Sequence, residues 1–402
     1  MLTVNFDAAR SALLQPPPSK SDALRAFVLS YILGRPLPED DPAWPDDMRR
    51  MRSGLLGLGG TVDCGDGAAP LRLLVALAAI RPDTTRFTGS ERLSQRDHRV
   101  LVAALRNALG CTISDGWPME VTGSDHRVEA ATFRVDGGAS SQPVSALWLA
   151  AAALCVREQR PRTVESTGPI TSAGYVALTL RWLIAAGFDI QANRVVAWAP
   201  RELPAVPRDW SAVAALTPIA WATRNAIQVD ASALHPDRLI LEVLSDAGFS
   251  VGLEPSDLRI TGTASRGFSL SAKDAPDLVP TLAAWATALP YDSVFSNLAV
   301  LRGKESDRFD AVLELVATSG GTATGDQSRL VIRGAAPPGP MALALRGDHR
   351  LAFAATALAA LHRVQVSVTD EHCVAKSFPG WWDEVGRAGA TVSRTPTSIG
   401  RP

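Results

Sequence analysis

The sequence predicts an α/β protein of two domains with three repeated modules in each, and two recurring patterns carry that prediction. In the first, a polar residue able to cap a helix precedes a run rich in Ala and Leu. The copies are SKSDALRAFVLSYIL, GDGAAPLRLLVALAAI, SSQPVSALWLAAALCV, DWSAVAALTPIAWAT, PDLVPTLAAWATAL and GDHRLAFAATALAAL. Their markers Ser19, Asp66, Ser140, Ser211, Asp277 and Asp348 stand 47, 74, 71, 66 and 71 residues apart by subtraction. Recurrence at such a period is the signature of a repeated supersecondary unit.

The second pattern alternates with the first. It is an amphipathic helix that stops at Gly and runs into an apolar strand, as in HRVLVAALRNALGCTI and PDRLILEVLSDAGFSV. The other copies are MRRMRSGLLGLGGTVDC, YVALTLRWLIAAGFDI, RFDAVLELVATSGGTAT and WWDEVGRAGATVS. Gly ends a helix readily because it accepts the left-handed conformation there. The first helices are apolar nearly all round and belong inside each domain. The second helices have a polar face and belong outside. The first module is about 25 residues shorter than its siblings, going by the same repeat spacing.

Composition excludes several function classes. A chain of 402 residues with 46% hydrophobic residues, 20% charged residues and a net charge of -1 can build two ordinary cores and offers no general attraction for nucleic acid. No run approaches the roughly 18 apolar residues of a membrane span, and the start lacks a basic segment followed by an apolar one. A cytoplasmic protein is expected. Cys64, Cys111, Cys155 and Cys373 are too scattered for a disulfide framework or a zinc site, so reduced thiols and no metal or other cofactor are expected.

Chemistry gathers at the helix starts. Lys20, Arg25, Arg72, Arg92 and Arg96 stand there in the first half, and Lys304, Arg308, Arg350 and Lys376 in the second. If the buried helices of a domain run side by side, their starts share one face, where unpaired amides favour anions. Two such faces meeting across a cleft would need an anionic ligand between them, because like charges at 4 Å repel by about 4 kcal/mol at an effective dielectric of 20. Asp277 in KDAPDLVPT is read as a helix cap, and Glu305 in RGKESDRFD lies between Lys304 and Arg308. Both suit proton transfer, although spacing alone favours the plainer readings, a cap for Asp277 and an ion pair for Glu305. His98 and His349 lack metal-ligand spacing, and Ser140 and Ser141 lack a neighbouring base.

Taken together, these segments resemble the 5-enolpyruvylshikimate-3-phosphate (EPSP) synthase family from Pro18 to Pro379. PSKSDALRA looks like the family's first active-site segment, with Lys20, Ser21 and Arg25 in place. GSERLSQR places Arg96 where the family holds phosphoenolpyruvate. DGGASSQPVSAL supplies Ser140, Ser141 and Gln142, and ITSAGYVALTL supplies Ser172 and Tyr175, as contacts to shikimate 3-phosphate. PDLVPTLAA gives Asp277, GKESDR gives Lys304, Glu305 and Arg308, GDHRLAF gives His349 and Arg350, and CVAKSFPGWW gives Lys376.

The resemblance implies the enolpyruvyl transferase fold, two inverse α/β domains each of three βαβαββ-like modules. It implies domains over 1–14 with 210–402 and over an inserted 15–209, with crossovers near Gln15 and near Val206 to Asp209. It also implies a monomer acting on two small molecules, with no nucleic acid, membrane or metal, in aromatic amino-acid biosynthesis. The implied reaction is attack of the shikimate 5-hydroxyl on carbon 2 of phosphoenolpyruvate, then loss of phosphate. Lys20, Asp277 and Glu305 are the implied catalytic residues. Lys20, Asp66, Ala68, Arg96, Gln142, Arg308, His349, Arg350 and Lys376 would meet phosphoenolpyruvate. Ser21, Arg25, Ser140, Ser141, Gln142, Ser172, Tyr175, Asp277 and Lys304 would meet shikimate 3-phosphate. Closure of the domains would exclude water.

The sequence departs from the family in two places. Asp66-Gly67-Ala68-Ala69-Pro70-Leu71-Arg72 stands where the family has a polar residue, then Ala-Gly-Thr, ahead of Arg. Ala68 therefore replaces a Gly and Ala69 a Thr, from which weak phosphoenolpyruvate binding and tolerance of glyphosate are expected. The first module, GRPLPEDDPAWPDDMRRM, keeps a likeness to an Asp-Asp-x-x-x-Met segment and is expected to lack a strand pair. Two other readings stay open: a UDP-N-acetylglucosamine enolpyruvyl transferase, which shares the fold, and a non-catalytic descendant that binds a phosphorylated ligand. SKS at Lys20 and KESDR weigh against the former, and the retained Lys20, Asp277, Glu305 and Lys376 against the latter.

Overall fold

The computed structural model describes residues 1–6, 10–123 and 132–394. The chain divides into one unit of Met1–Pro18 with Pro207–Pro402 and a second of Ser19–Val206. The division falls just past the expected 14/15 boundary and just before the expected 209/210 boundary, because the connecting segments bind each other. Pro17 carbonyl oxygen accepts from the Asp209 amide at 2.9 Å, and Arg208 donates to the Pro16 carbonyl at 2.9 Å.

β1 (Leu2–Asn5) and β2 (Leu13–Leu14) open the chain and belong to the first unit. The second unit starts with α1 (Lys20–Ile32) and α2 (Asp46–Leu56). It continues through β3 (Thr61–Asp63), α3 (Ala68–Ala78), β4 (Thr84–Thr88), α4 (Glu91–Ser94), α5 (Arg99–Leu109), β5 (Thr112–Ile113) and β6 (Met119–Thr122). Its last module is β7 (Thr132–Val135), α6 (Ser141–Glu158), β8 (Arg162–Ser166), α7 (Ala173–Ala185), β9 (Phe188–Gln191) and β10 (Arg194–Trp198).

The chain then returns to the first unit. α8 (Trp210–Thr223), β11 (Ala226–Gln228), α9 (Leu239–Ala247), β12 (Ser250–Leu253) and β13 (Asp257–Thr261) form a module with β2. The next contains β14 (Ser269–Ser271), α10 (Val279–Ala286), β15 (Ser293–Ser296), α11 (Arg308–Thr318), β16 (Thr322–Gly325) and β17 (Arg329–Arg333). β18 (Met341–Ala344), α12 (His349–His362), β19 (Val366–Thr369), α13 (Trp381–Arg387) and β20 (Thr391–Arg394) complete the last module with β1.

Among the described residues there are five four-stranded sheets of one topology. The first two strands of a module are parallel across the first helix, as β7 and β8 are, and the last two join antiparallel with the final strand inside, as in the order β7-β8-β10-β9. β2 supplies the opening strand of one sheet and β1 the inner strand of another, so both ends of the chain close the first unit.

The first module lacks more than the expected strand pair: among the described residues it has no sheet. The sequence after α1 carries Pro36, Pro38, Pro42 and Pro45, which have no amide to donate to a ladder. The segment straps over the core instead. Leu37 and Trp44 pack against the unit's hydrophobic cluster, Trp44 lies 5.3 Å from Phe27 between ring centroids, and Arg52 ties the Pro38 carbonyl at 2.6 Å. The strand expected at the end of MRRMRSGLLGLGGTVDC is β3, which begins the following module.

The Ala-rich helices are the buried ones, as their sequences predict. α3, α6, α8, α10 and α12 have nearly every residue in the core. Capping is less uniform than the repeats suggest. Ser19, Ser140, Asp209 and Asp348 cap their helices by side chain. Gly67, not Asp66, precedes α3, and neither it nor Leu278 before α10 offers a side-chain cap. Ser211 sits inside α8, two residues beyond the cap Asp209.

Candidate active site

In the first unit the chemistry-bearing residues come together at helix starts. Arg308 opens α11 and is almost fully buried. Its guanidinium is shared among three carboxylates: Nη1 donates to Asp277 Oδ1 at 2.6 Å, Nη2 to Glu305 Oε2 at 2.8 Å, and Nε to Asp348 Oδ2 at 2.8 Å. Asp348, fully buried, also caps α12 by accepting from the Arg350 amide at 2.9 Å and takes the Ser306 hydroxyl at 3.0 Å. Arg350 reaches Asp277 Oδ2 at 3.1 Å and the Ser211 carbonyl at 3.3 Å. Lys376, from the 3-10 turn Glu371–Lys376, pairs with Glu305 Oε1 at 3.1 Å. His349 is buried, edge-on to Phe353 at 5.7 Å.

Asp277 is therefore not the helix cap that its sequence position suggests. It lies in the 3-10 turn Pro276–Leu278 and spends its carboxylate on Arg308 and Arg350. Burial would raise this carboxyl, but Arg350, Arg308 and Lys304 outweigh burial and hold it well below the usual carboxylate range. Burial likewise works against the Arg308 charge, and Asp348, Glu305 and Asp277 overcome it and push the guanidinium well up. Asp348 thus joins the two carboxylates that the sequence sets among these cations, and the cluster is a nearly balanced net. Burying Arg308 alone would cost several kcal/mol, which these partners offset.

Sequence reasoning missed two members. Asp348 figured only as a helix marker, although an Asp directly before His-Arg at a helix start combines both roles. Asp237 carried no local signal at all. It is fully buried, accepts from the Ser211 hydroxyl at 2.5 Å, and is raised by burial and by Asp277, against the lowering effect of His235 and Arg350.

In the second unit Lys20, the first residue of α1, pairs with Asp47 at 3.0 Å. Asp47 comes from α2 and is another residue the sequence reading left unassigned, although it lies in the Asp-Asp-x-x-x-Met segment. A Cβ on Gly67 would stand 2.8 Å from Asp47 Oδ1, so the carboxylate packs directly against the loop before α3. Ala68, the buried first residue of that helix, and Ala69 follow. Asp66 takes the Ser90 hydroxyl. Arg72 reaches Gln142 Oε1 at 2.5 Å, which links α3 to α6.

The remaining expected residues of this unit divide between scaffold and surface. Arg25 is buried and donates to Thr179 Oγ1 at 2.8 Å, the Ser21 carbonyl at 2.7 Å and the Tyr175 carbonyl at 2.9 Å, tying α1 to α7. Burial lowers it to about 10. Ser140 caps α6 by accepting from the Gln142 amide at 3.2 Å, and Ser141 is buried behind it. Ser172 stands in left-handed backbone, φ 57°, ahead of α7. Arg96 lines a cavity of about 610 Å³ with His98, Arg99 and Arg106.

Residues 61–385 match the sequence profile of a family described as EPSP synthase (3-phosphoshikimate 1-carboxyvinyltransferase). The chain belongs to the EPSP synthase family. The match begins where β3 begins and leaves the sheetless module outside it. A 3-phosphoshikimate 1-carboxyvinyltransferase of Syntrophobacter fumaroxidans is 34% identical over 336 residues, 79% of this chain and 78% of that protein. One from Methanopyrus kandleri is 29% identical over 419 residues, 94% of this chain and 95% of its own. Among solved structures, EPSP synthase from Acinetobacter baumannii superposes with a TM-score of 0.72 at 19% identity, covering 98% of this chain and 100% of its own. The enolpyruvyl transferase NikO from Streptomyces tendae gives 0.70 at 14% identity, with 98% of both chains covered. Such identities establish the fold: the chain has the enolpyruvyl transferase fold.

Proposed function

We propose that this member of the EPSP synthase family transfers the enolpyruvyl group of phosphoenolpyruvate to the 5-hydroxyl of shikimate 3-phosphate and releases phosphate. The observation that carries the reading is the net in which Arg308 joins Asp277, Glu305 and Asp348, with Arg350 and Lys376 on its rim. It sets two carboxylates able to exchange protons among cations able to hold phosphate and carboxylate groups. Relatives whose names state this activity, matched over 78% and 95% of their length, favour it over UDP-N-acetylglucosamine as acceptor.

In this reading the shikimate oxygen bonds to carbon 2 of phosphoenolpyruvate while carbon 3 gains a proton from Glu305, which leaves a tetrahedral adduct with a methyl group. Asp277, with Lys20, takes the hydroxyl proton. The carbon 2 bond to the phosphate oxygen then breaks, a methyl proton returns to Glu305, and the double bond is restored. Arg96, Arg308, His349, Arg350 and Lys376 are assigned to the anionic groups of phosphoenolpyruvate. Ser21, Arg25, Ser140, Ser141, Gln142, Ser172, Tyr175 and Lys304 are assigned to shikimate 3-phosphate, and Asp66 and Ala68 to phosphoenolpyruvate. Asp277 is a weak base while two arginines hold it low. Anionic substrates that draw Arg308 and Arg350 toward themselves would raise its basicity as the reaction requires.

Phosphate release measured with shikimate 3-phosphate and, separately, with UDP-N-acetylglucosamine tests the acceptor. Turnover with only the former is expected, and turnover with neither would leave a binding protein. For the proton step, exchange of deuterium into the product methylene should collapse in Glu305→Gln. Normal exchange would remove Glu305 from that role.

A further inference from the structure

The start of α12 carries part of the ion-pair net, the start of α8 meets it through the Ser211 carbonyl, and the far ends of these two helices border a second feature. There α8, β13 and α12 surround a cavity of about 560 Å³, within the size range of small-molecule sites. Arg224, Arg259 and Arg363 line it, and among the described residues no carboxylate does. Arg224 and Arg363 end α8 and α12 in left-handed backbone, φ 60° and 56°, where Gly or Asn would sit with less strain. Trp221, Ile260 and Leu361 supply the apolar wall. The Trp221 ring is fixed by donation from Nε1 to the Gly262 carbonyl at 2.9 Å and by Trp285 at 5.8 Å between ring centroids.

Charge decides what could enter. Two helix C-termini contribute roughly -0.5 each, and Asp257 stands 3.6 Å from Arg259. Against three guanidiniums, these leave a surplus of about one positive charge. Capping of helix dipoles alone would not require a third arginine or an aromatic wall. A surplus near one beside a flat apolar surface fits a monoanion with a flat apolar body.

We propose that this cavity binds an aromatic monocarboxylate, its carboxylate held by Arg224 and Arg363 and its ring against Trp221. The site is distinct from the ion-pair net, since helices of 14 residues separate their two ends by about 21 Å. 2-Naphthoate is the probe, titrated by calorimetry into the full chain with and without saturating phosphoenolpyruvate and shikimate 3-phosphate. Saturable one-to-one binding is expected, unchanged by the substrates. It should weaken at least ten-fold in the double variant Arg224→Asn/Arg363→Asn, in which Asn keeps the left-handed backbone, and at least three-fold in Arg259→Gln. Neutral 2-naphthalenemethanol should bind at least ten-fold more weakly than the acid, and turnover of both variants should match that of the parent. No saturable binding up to millimolar probe, equal affinity in both variants, or displacement by the substrates would each overturn the proposal.

Discussion

At the scale of single residues, His98 shows how an environment sets a charge. Burial lowers its imidazole to about 4, and Arg72 and Arg96 push the same way against its bond to the Leu93 carbonyl at 3.0 Å. A base with a depressed folded value favours folding fully above its ordinary value of 6.5, and that contribution fades as pH falls toward 4. The difference corresponds to about 3 kcal/mol. Urea unfolding should therefore show stability declining between pH 6.5 and pH 4, and His98→Gln should flatten that decline. A parallel decline in the variant would show that other groups govern it. Ala68 is the second such position. Ala68→Gly should lower the phosphoenolpyruvate KM several-fold and strengthen inhibition by glyphosate in steady-state assays, and no change in either would show that the extra methyl does not crowd the ligand.

At the scale of elements, Asp348 joins two helices by capping α12 and pairing with the first residue of α11. Asp348→Ala removes the cap and leaves Arg308 short of a buried carboxylate, a loss of about 3 to 5 kcal/mol. Asp348→Asn keeps the cap and should cost distinctly less. Denaturant titration checks both, and a loss below about 1 kcal/mol for the alanine variant would show that Arg308 needs no third partner. This element also marks how far the sequence was legible. The helices, their Gly stops and the caps at Ser19, Ser140 and Asp348 follow from local propensity, and so they could be read. Pairings such as Lys20 with Asp47, or Asp237 with Ser211, join residues brought together only by tertiary packing, and nothing local announces them. For the same reason the partners of Arg308 could not be paired from sequence: Glu305 neighbours it in the chain, but Asp277 and Asp348 come from 31 and 40 residues away. The missing sheet was half legible, since the prolines argued against strands but not for the strap that Trp44 and Leu37 make.

At the scale of the molecule, the two units have separate hydrophobic clusters and unequal scaffolds. Among the described residues, three sheets serve the unit of 1–18 and 207–402, and two serve 19–206, whose first module rests on a strap. Separate cores make separate cooperative transitions the expectation. Calorimetry should resolve two, with the 19–206 unit melting at the lower temperature, and a single transition whose calorimetric and van't Hoff enthalpies agree would contradict this. The crowded guanidinium of Arg308 has a further consequence. A visitor to that centre meets no vacant cation and must displace a resident carboxylate. Chloride or acetate, with one negative charge, offers no more than the group it would evict, whereas a doubly charged phosphate offers more. The centre therefore sorts solutes by valence before it recognises their shape.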